Sequence, residues 1–198
     1  MFVQFIRAQV GDEAAVRRTM ERWEQALRPG ADGFLGSTTG ITTAGEMVAV
    51  VRFASEEQAR RNSDRPEQGA WWAELEKAFA GPASFLESGD VDVSMGGGSD
   101  DAGFVQIMIG RGDRAAATAA NSPDAEAILR RERPDVIGSL TLWADDSRFV
   151  DVIYFTSEAD ARAAEAGERS EEGRELFEQF QQAMPVEEFL DLPDPTLS

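Results

Sequence analysis

The chain carries the same sequence pattern twice, and this internal repeat constrains its fold more than any single motif does. The segment Phe2-Val3-Gln4 returns as Phe104-Val105-Gln106, 102 positions later. A longer pattern, Phe53-x-Ser55-Glu56-x-x-Ala59-Arg60, returns at the same distance as Phe155-x-Ser157-Glu158-x-x-Ala161-Arg162. Matches at one fixed spacing indicate a duplicated unit of about a hundred residues.

The pattern within each repeat predicts a mixed α+β unit. We expect the first unit at residues 1–93, a Gly-rich flexible linker at residues 94–102, and the second unit at residues 103–198. Alternating apolar segments indicate strands, and segments with apolar residues three to four apart indicate helices. Each unit then follows the order β-α-β-β-α-α-β, with a hairpin between its second and third strands. This is the order of a ferredoxin-like split unit with one extra helix.

Such a unit leaves one face of its sheet without helices, and that face needs cover. The second copy on the same chain is the natural cover. We therefore expect an α+β fold in which two tandem ferredoxin-like units pack sheet to sheet as a pseudo-dimeric barrel. The sequence leaves assembly beyond this intramolecular pseudo-dimer open.

The composition excludes several classes of chemistry. The chain has no cysteine and no histidine, which removes disulfides, thiolate zinc sites, Cys nucleophiles, Ser-His-Asp triads and His-ligated metal or haem. We therefore expect neither a metal nor a cofactor. A net charge of −18 opposes binding to nucleic acid or to an anionic membrane. The first residues read as a strand rather than a signal peptide, so we expect a cytoplasmic protein.

Four segments resemble the dimeric α/β-barrel superfamily, which includes antibiotic-biosynthesis monooxygenase-like domains. They are the opening strand Phe2-Val3-Gln4, the strand-to-helix junction Phe53-Ala54-Ser55-Glu56-Glu57-Gln58-Ala59, the Trp71-Trp72 helix, and the second junction Phe155-Thr156-Ser157-Glu158-Ala159-Asp160-Ala161. The resemblance covers nearly the whole chain, as a tandem fusion of what is usually a homodimer. It implies the fold more specifically than it implies a function.

The superfamily includes cofactor-independent oxygenases, haem-degrading enzymes, haem peroxidases, isomerases and members without known activity. Its haem-using members generally bind iron through a histidine, which this chain lacks. Its cofactor-free quinone-forming oxygenases are similar in placing an Asn, a Trp and a Tyr around an aromatic substrate. Here Asn62 precedes the Trp71-Trp72 helix, but the single tyrosine is Tyr154 in the second unit, where Ala164 stands at the position of Asn62.

The third strand of each unit supplies further candidate catalytic residues. Arg52 and Tyr154 occupy equivalent positions on one face of their strands, whereas Asp151 lies on the other face at the position of Ala49. If the Arg52/Tyr154 face lines a cavity, it offers a fixed cation and a phenol to an acidic or phenolic ligand. Otherwise these side chains cap the sheet edge or pair with surface acids. With Asn62, these three residues form the candidate catalytic set.

Candidate ligand-binding residues come from the first strands and from the Trp-rich helix. Gln4 and Gln106 are equivalent polar positions between apolar neighbours, so they line a pocket, bond a neighbouring loop or face outward. Trp71 and Trp72 are adjacent, and a helix cannot bury both on one stripe. We expect one in the core and the other on a pocket wall or at the interface between units.

Two hypotheses about function follow. In the first, the chain is a cofactor-independent monooxygenase-like enzyme that binds a small apolar, aromatic or polyketide-like substrate. In the second, it is a non-catalytic small-molecule-binding or assembly protein whose dimer is fused covalently. An enclosed pocket distinguishes ligand binding from a filled core.

Overall fold

The computed structural model describes residues 1–198 and divides them into two compact units. The first comprises Met1–Gly89 together with Ser198, and the second comprises Asp90–Leu197. Each unit contains an antiparallel sheet with helices. The predicted fold class of two tandem ferredoxin-like α+β units is therefore confirmed. No helix has the length and apolar character that crossing a membrane requires.

The first unit follows the predicted order, and its first strand pairs with both its third and its fourth. Its elements are β1 Phe2–Gln9, α1 Glu13–Arg22, β2 Phe34–Ile41, β3 Glu46–Phe53, α2 Glu56–Ser63, α3 Pro66–Leu75 and β4 Ser84–Ser88. Within this unit the strand order of the sheet is β2-β3-β1-β4. β2 and β3 form the predicted hairpin.

Side-chain caps and a π-helical turn define the helices of the first unit. Asp12 accepts a hydrogen bond from the Ala15 backbone N–H at the start of α1, and Ser55 accepts one from Gln58 at the start of α2. α1 continues into a π-helical turn at Trp23–Leu27. Single π-helical turns often occur at functional sites, and this one positions Trp23, which is important below.

The second unit repeats this order with its first helix divided. Its elements are β5 Val91–Ser94, β6 Phe104–Arg111, α4 Arg114–Ala120, α5 Pro123–Glu132, β7 Val136–Trp143, β8 Arg148–Phe155, α6 Glu158–Ala166, α7 Glu171–Ala183 and β9 Val186–Leu192. The sheet order is β5-β7-β8-β6-β9. The division falls where Ser122 caps α5 and Pro123 occupies its first position.

The repeated Gly-Ser pair in β2 and β7 has a steric cause. Both sheets show a register shift at this glycine, between Phe34 and Gly36 and between Val136 and Gly138. A Cβ atom on Gly138 would lie 1.9 Å from the carbonyl oxygen of Gly97, so a larger residue cannot fit without moving backbone. The duplicated unit therefore retains glycine because the chain passes this bulge at close range.

The segment that follows β4 forms a strand of the second sheet. β4 ends at Ser88, and Val91–Ser94 pairs with β7 in the second sheet. The Trp143 backbone N–H donates to the Asp90 carbonyl at 3.0 Å, and Trp143 Nε1 donates to Asp92 Oδ2 at 2.9 Å. These bonds fix the segment to the second unit, a non-local effect that composition does not indicate.

Candidate functional site

A cavity of about 320 Å³ lies between the sheet and the helices of the first unit. This volume falls near the lower end of the range of small-molecule sites. Aromatic side chains form much of its wall, namely those of Trp23, Trp71, Trp72 and Phe85. Amide and carboxylate groups reach it as well, namely those of Gln4, Asn62, Gln68 and Glu87.

The alternation of β3 determines which of its side chains reach the cavity. Met47, Ala49, Val51 and Phe53 line it. Successive side chains of a strand point to opposite faces, so Arg52 belongs to the other face. β3 therefore contributes an apolar part of the floor, and the polar groups of the cavity come from β1, β2, β4 and the helices.

The three tryptophans and Phe85 form a continuous aromatic wall. Ring centroids are 6.4 Å apart for Trp23 and Trp71, 6.0 Å for Trp71 and Trp72, and 5.2 Å for Trp72 and Phe85. Trp71 is buried, and its Nε1 donates to the Thr19 carbonyl at 2.7 Å. Trp72 is half-buried and Phe85 is 52% exposed. The wall therefore runs from Trp23 and Trp71, which are buried, to Phe85, which is accessible.

Two side-chain amides on this wall have N–H groups without partners. Trp23 Nε1 donates to Gln68 Oε1 at 2.8 Å, and Arg65 Nη1 donates to Asn62 Oδ1 at 2.9 Å. Indole and guanidinium groups only donate, so both amide oxygens must face these partners. The Gln68 Nε2 and Asn62 Nδ2 amides then remain unpaired. The only side-chain N or O atom that is both fully buried and unpaired is Arg52 Nε. The unpaired Nδ2 of Asn62 is therefore not fully enclosed by protein, although the residue is buried.

Gln4 and Glu87 form a pair on neighbouring strands at the cavity. They are direct register partners in β1 and β4, and Gln4 Nε2 donates to Glu87 Oε1 at 2.5 Å. Because a carboxylate only accepts hydrogen bonds, the Gln4 amide must turn its Nε2 toward Glu87. The Oε1 atom of Gln4 then has no partner. Glu87 is exposed, so this pair lies toward the open side of the cavity.

The structure brings four of the eight predicted residues together and separates the other four from them. Gln4, Asn62, Trp71 and Trp72 all line the first-unit cavity. Arg52 does not line it and lies on the opposite face of its sheet, with Nε buried and unpaired. The remaining three residues, Gln106, Asp151 and Tyr154, belong to the second unit.

In the second unit, Asp151 occupies the helix-facing position that Ala49 holds in the first. It is 9% exposed, and its Oδ1 accepts hydrogen bonds from Thr141 at 2.9 Å and Ser139 at 3.3 Å. Burial raises the pKa of Asp151 to about 6, although the Thr141 and Ser139 hydroxyls partly offset the increase. Tyr154 is fully buried on the opposite face, as the strand alternation predicts.

Sequence reasoning missed several residues that line the cavity, among them Trp23, Gln68, Phe85 and Glu87. Trp23 reads as a core residue from its helical spacing, and Gln68, Phe85 and Glu87 carry no motif. The detectable signal for Phe85 and Glu87 is their alternation along a strand that pairs with β1. No group of three or more Asp or Glu side chains is arranged to hold a metal ion.

Comparisons with known proteins show the fold of the whole chain. No protein-family model and no curated protein matches it. A provisionally named monooxygenase from Fusobacterium nucleatum aligns with 98% of this chain and 92% of its own, at 8% identity and a TM-score of 0.74. A second, from Lactobacillus acidophilus, aligns with 100% of this chain and 95% of its own, at 11% identity and a TM-score of 0.68.

A third solved structure is that of an anthrone oxidase-like protein. It aligns with 100% of this chain and 92% of its own, at 8% identity and a TM-score of 0.67. These three proteins align with nearly all of this chain, so the tandem arrangement of two units expected from the sequence is confirmed at the level of fold.

Proposed function

We propose that the first-unit cavity binds a small aromatic compound whose ring system carries an oxygen, and that the chain acts on it as a cofactor-independent, monooxygenase-like enzyme. The observation that carries this proposal is the combination of a continuous aromatic wall with two unpaired amide donors. Planar rings stack favourably against Trp and Phe, and the Asn62 and Gln68 N–H groups suit an oxygen on the ring system.

The same groups suit a reaction in which the substrate itself supplies the electrons. Deprotonation of an acidic methylene or hydroxyl gives a delocalised anion with its charge on an oxygen. Asn62 Nδ2 and Gln68 Nε2 can donate to that oxygen beside the aromatic wall, and hydrogen bonds there stabilise charge more than they do in bulk water. The anion then reduces molecular oxygen. For a ring methylene the balance is CH₂ + O₂ → C=O + H₂O, which requires no external reductant.

The names of the structural neighbours support this class of reaction. Two are provisionally named monooxygenases and one is described as anthrone oxidase-like. Anthrone is a three-ring ketone with one acidic methylene, so it contains both the planar surface and the acidic C–H that the proposal requires. It is therefore the probe we would use.

The second function to consider is binding without turnover. The first unit contains no tyrosine, and Tyr154 lies in the second unit, so the cavity lacks the phenol that the cofactor-free oxygenases of the superfamily are expected to use. A binding protein needs only the aromatic wall and the amides. Both functions predict affinity for the aromatic ligand, but only the enzyme consumes oxygen.

The test measures oxygen consumption and product formation with anthrone above the spontaneous rate. We expect saturable oxygen uptake and, with ¹⁸O₂, one labelled oxygen in the quinone product. Asn62→Ala should lower kcat by about 10²-fold, as removal of one oxyanion donor does elsewhere, whereas the exposed control Asn121→Ala in the second unit should not. Saturable binding without oxygen uptake would replace the enzyme hypothesis with the binding one.

A further inference from the structure

The Gln4–Glu87 pair has a structural copy in the second unit, and the copy has a different partner. Gln106 and Asp191 are register partners in β6 and β9, as Gln4 and Glu87 are in β1 and β4. Gln106 Nε2 donates to Asp191 Oδ1 at 2.9 Å. The duplication therefore retained a glutamine facing a carboxylate across the same two strands.

An arginine distinguishes the two copies. Arg60 and Arg162 are equivalent in the repeat. Arg162 Nη2 binds the second carboxylate oxygen, Oδ2, of Asp191, and its distance to Glu158 is 3.7 Å. In the second unit the carboxylate is thus held on both oxygens, one by the amide and one by the guanidinium.

In the first unit the equivalent arginine is held elsewhere. Arg60 donates from Nε and Nη2 to Glu56, at 3.0 and 2.6 Å, and forms no ion pair with Glu87. The hydrogen bond with Glu56 raises the pKa of Arg60, and the negative charge of Glu87 contributes to a smaller extent. Arg60 is therefore close enough for an electrostatic interaction with Glu87, but it does not form an ion pair with it. Glu87 Oε2 has no partner in the protein, and Glu87 lines the cavity.

An unpaired carboxylate oxygen beside an aromatic wall is suited to accepting a proton. When Glu87 takes a proton from a bound ligand, the negative charge moves from the carboxylate to the ligand. The total charge of the cavity does not change. The unpaired amide N–H groups of Asn62 and Gln68 can donate hydrogen bonds to the ligand oxygen that gains charge. The cavity therefore combines a proton acceptor, Glu87, with hydrogen-bond donors for the resulting anion.

We propose that Glu87 is the general base of the first-unit cavity and that its substrates are compounds with an acidic ring methylene or ring hydroxyl. This inference rests on the proposed function and names the residue that performs the first step of the proposed reaction. Glu87 Oε2 accepts the first methylene proton, and the C–H electron pair stays on the ligand. The carbanion bonds to O₂, and Glu87 returns its proton to the distal oxygen to give a hydroperoxide. Glu87 then accepts the second methylene proton as the O–O bond breaks, and that proton leaves with the departing hydroxide as water.

The test separates proton abstraction from oxygen chemistry. Anthrone is incubated with the protein in D₂O under nitrogen, and loss of its methylene signal is followed by NMR. We expect the wild-type protein to accelerate deuterium exchange and Glu87→Gln to lose at least about 100-fold of that acceleration. Anthrone affinity should change less than about threefold. Glu87→Asp should retain part of the acceleration, since it keeps a carboxylate.

Asp191→Asn is the matched control, because it removes the equivalent carboxylate in the second unit and should exchange like the wild type. If Glu87→Gln exchanges anthrone as fast as the wild type, the base assignment is overturned, although oxidation by another route still stands. If the wild type binds anthrone without accelerating exchange, the assignment is also overturned. Exchange without oxygen uptake overturns the oxygenase function but supports Glu87 as a base. Failure to bind anthrone overturns both.

Discussion

Asp151 should make the stability of the protein depend on pH in a direction opposite to that of most carboxylates. Burial raises its pKa from 3.8 to about 6, so the folded state holds this proton more tightly than the unfolded state. Stability is therefore greatest, for this group, below about pH 4 and falls as the pH rises from about 4 to about 6. Above about pH 6, Asp151 is ionised in the folded state, and the whole cost of that buried charge lowers the free energy of unfolding.

The size of this effect follows from the pKa difference. A difference of about 2 pKa units corresponds to about 3 kcal/mol at 1.36 kcal/mol per unit. Asp151→Asn removes the charge but keeps an oxygen that accepts from Thr141 and Ser139. The variant should exceed the wild type in free energy of unfolding by up to about 3 kcal/mol at pH 8, and match it near pH 4.

Urea denaturation at several pH values, followed by circular dichroism, measures the difference between variant and wild type. Asp146→Asn is the matched control, because it removes an exposed carboxylate from the loop that precedes β8. It should show no comparable gain at pH 8. A wild type that is more stable than Asp151→Asn at pH 8 would refute the reasoning, since it would mean that ionised Asp151 stabilises the second unit.

Three further outcomes test the repeat and the cavity. Ser55→Ala and Ser157→Ala should each lower the free energy of unfolding by about 1 kcal/mol, because the two serines make equivalent N-cap bonds. Unequal losses in denaturation curves would show that the caps are not equivalent. Trp72→Ala should weaken aromatic-ligand binding by about tenfold in a fluorescence titration with little loss of stability, because Trp72 is half-buried. Gly138→Ala should cost about 3 kcal/mol or abolish folding, since its Cβ would collide with the Gly97 carbonyl, whereas Gly167→Ala meets ordinary contacts and should be mild.

The repeat made the fold predictable because it fixes the order of elements twice over. Capping serines and turn glycines then placed most helices and strands. The segment after Ser88 was not predictable, because Val91–Ser94 joins the second sheet through bonds to Trp143 that are distant in sequence. Composition alone shows a glycine-rich stretch and not its partner strand.

The cavity was only partly predictable because strand alternation separates two faces without saying which one the helices cover. Arg52 and Tyr154 do share one face, but in the first unit the cavity lies on the other. Asn62 and the tryptophan pair were detectable through resemblance. Glu87 was not, since its significance depends on Arg60 bonding Glu56 rather than Glu87, a choice that only the structure reveals.

The four tryptophans allow the binding of a small aromatic ligand in the first-unit cavity to be tested site by site. Trp23, Trp71 and Trp72 line the cavity, whereas Trp143 lies in the second unit. A ¹H–¹⁵N NMR titration with 2-naphthol follows the four indole N–H signals. We predict saturable shifts for the first three and none for Trp143. Unchanged signals for all four, or an equal shift of Trp143, would contradict the account.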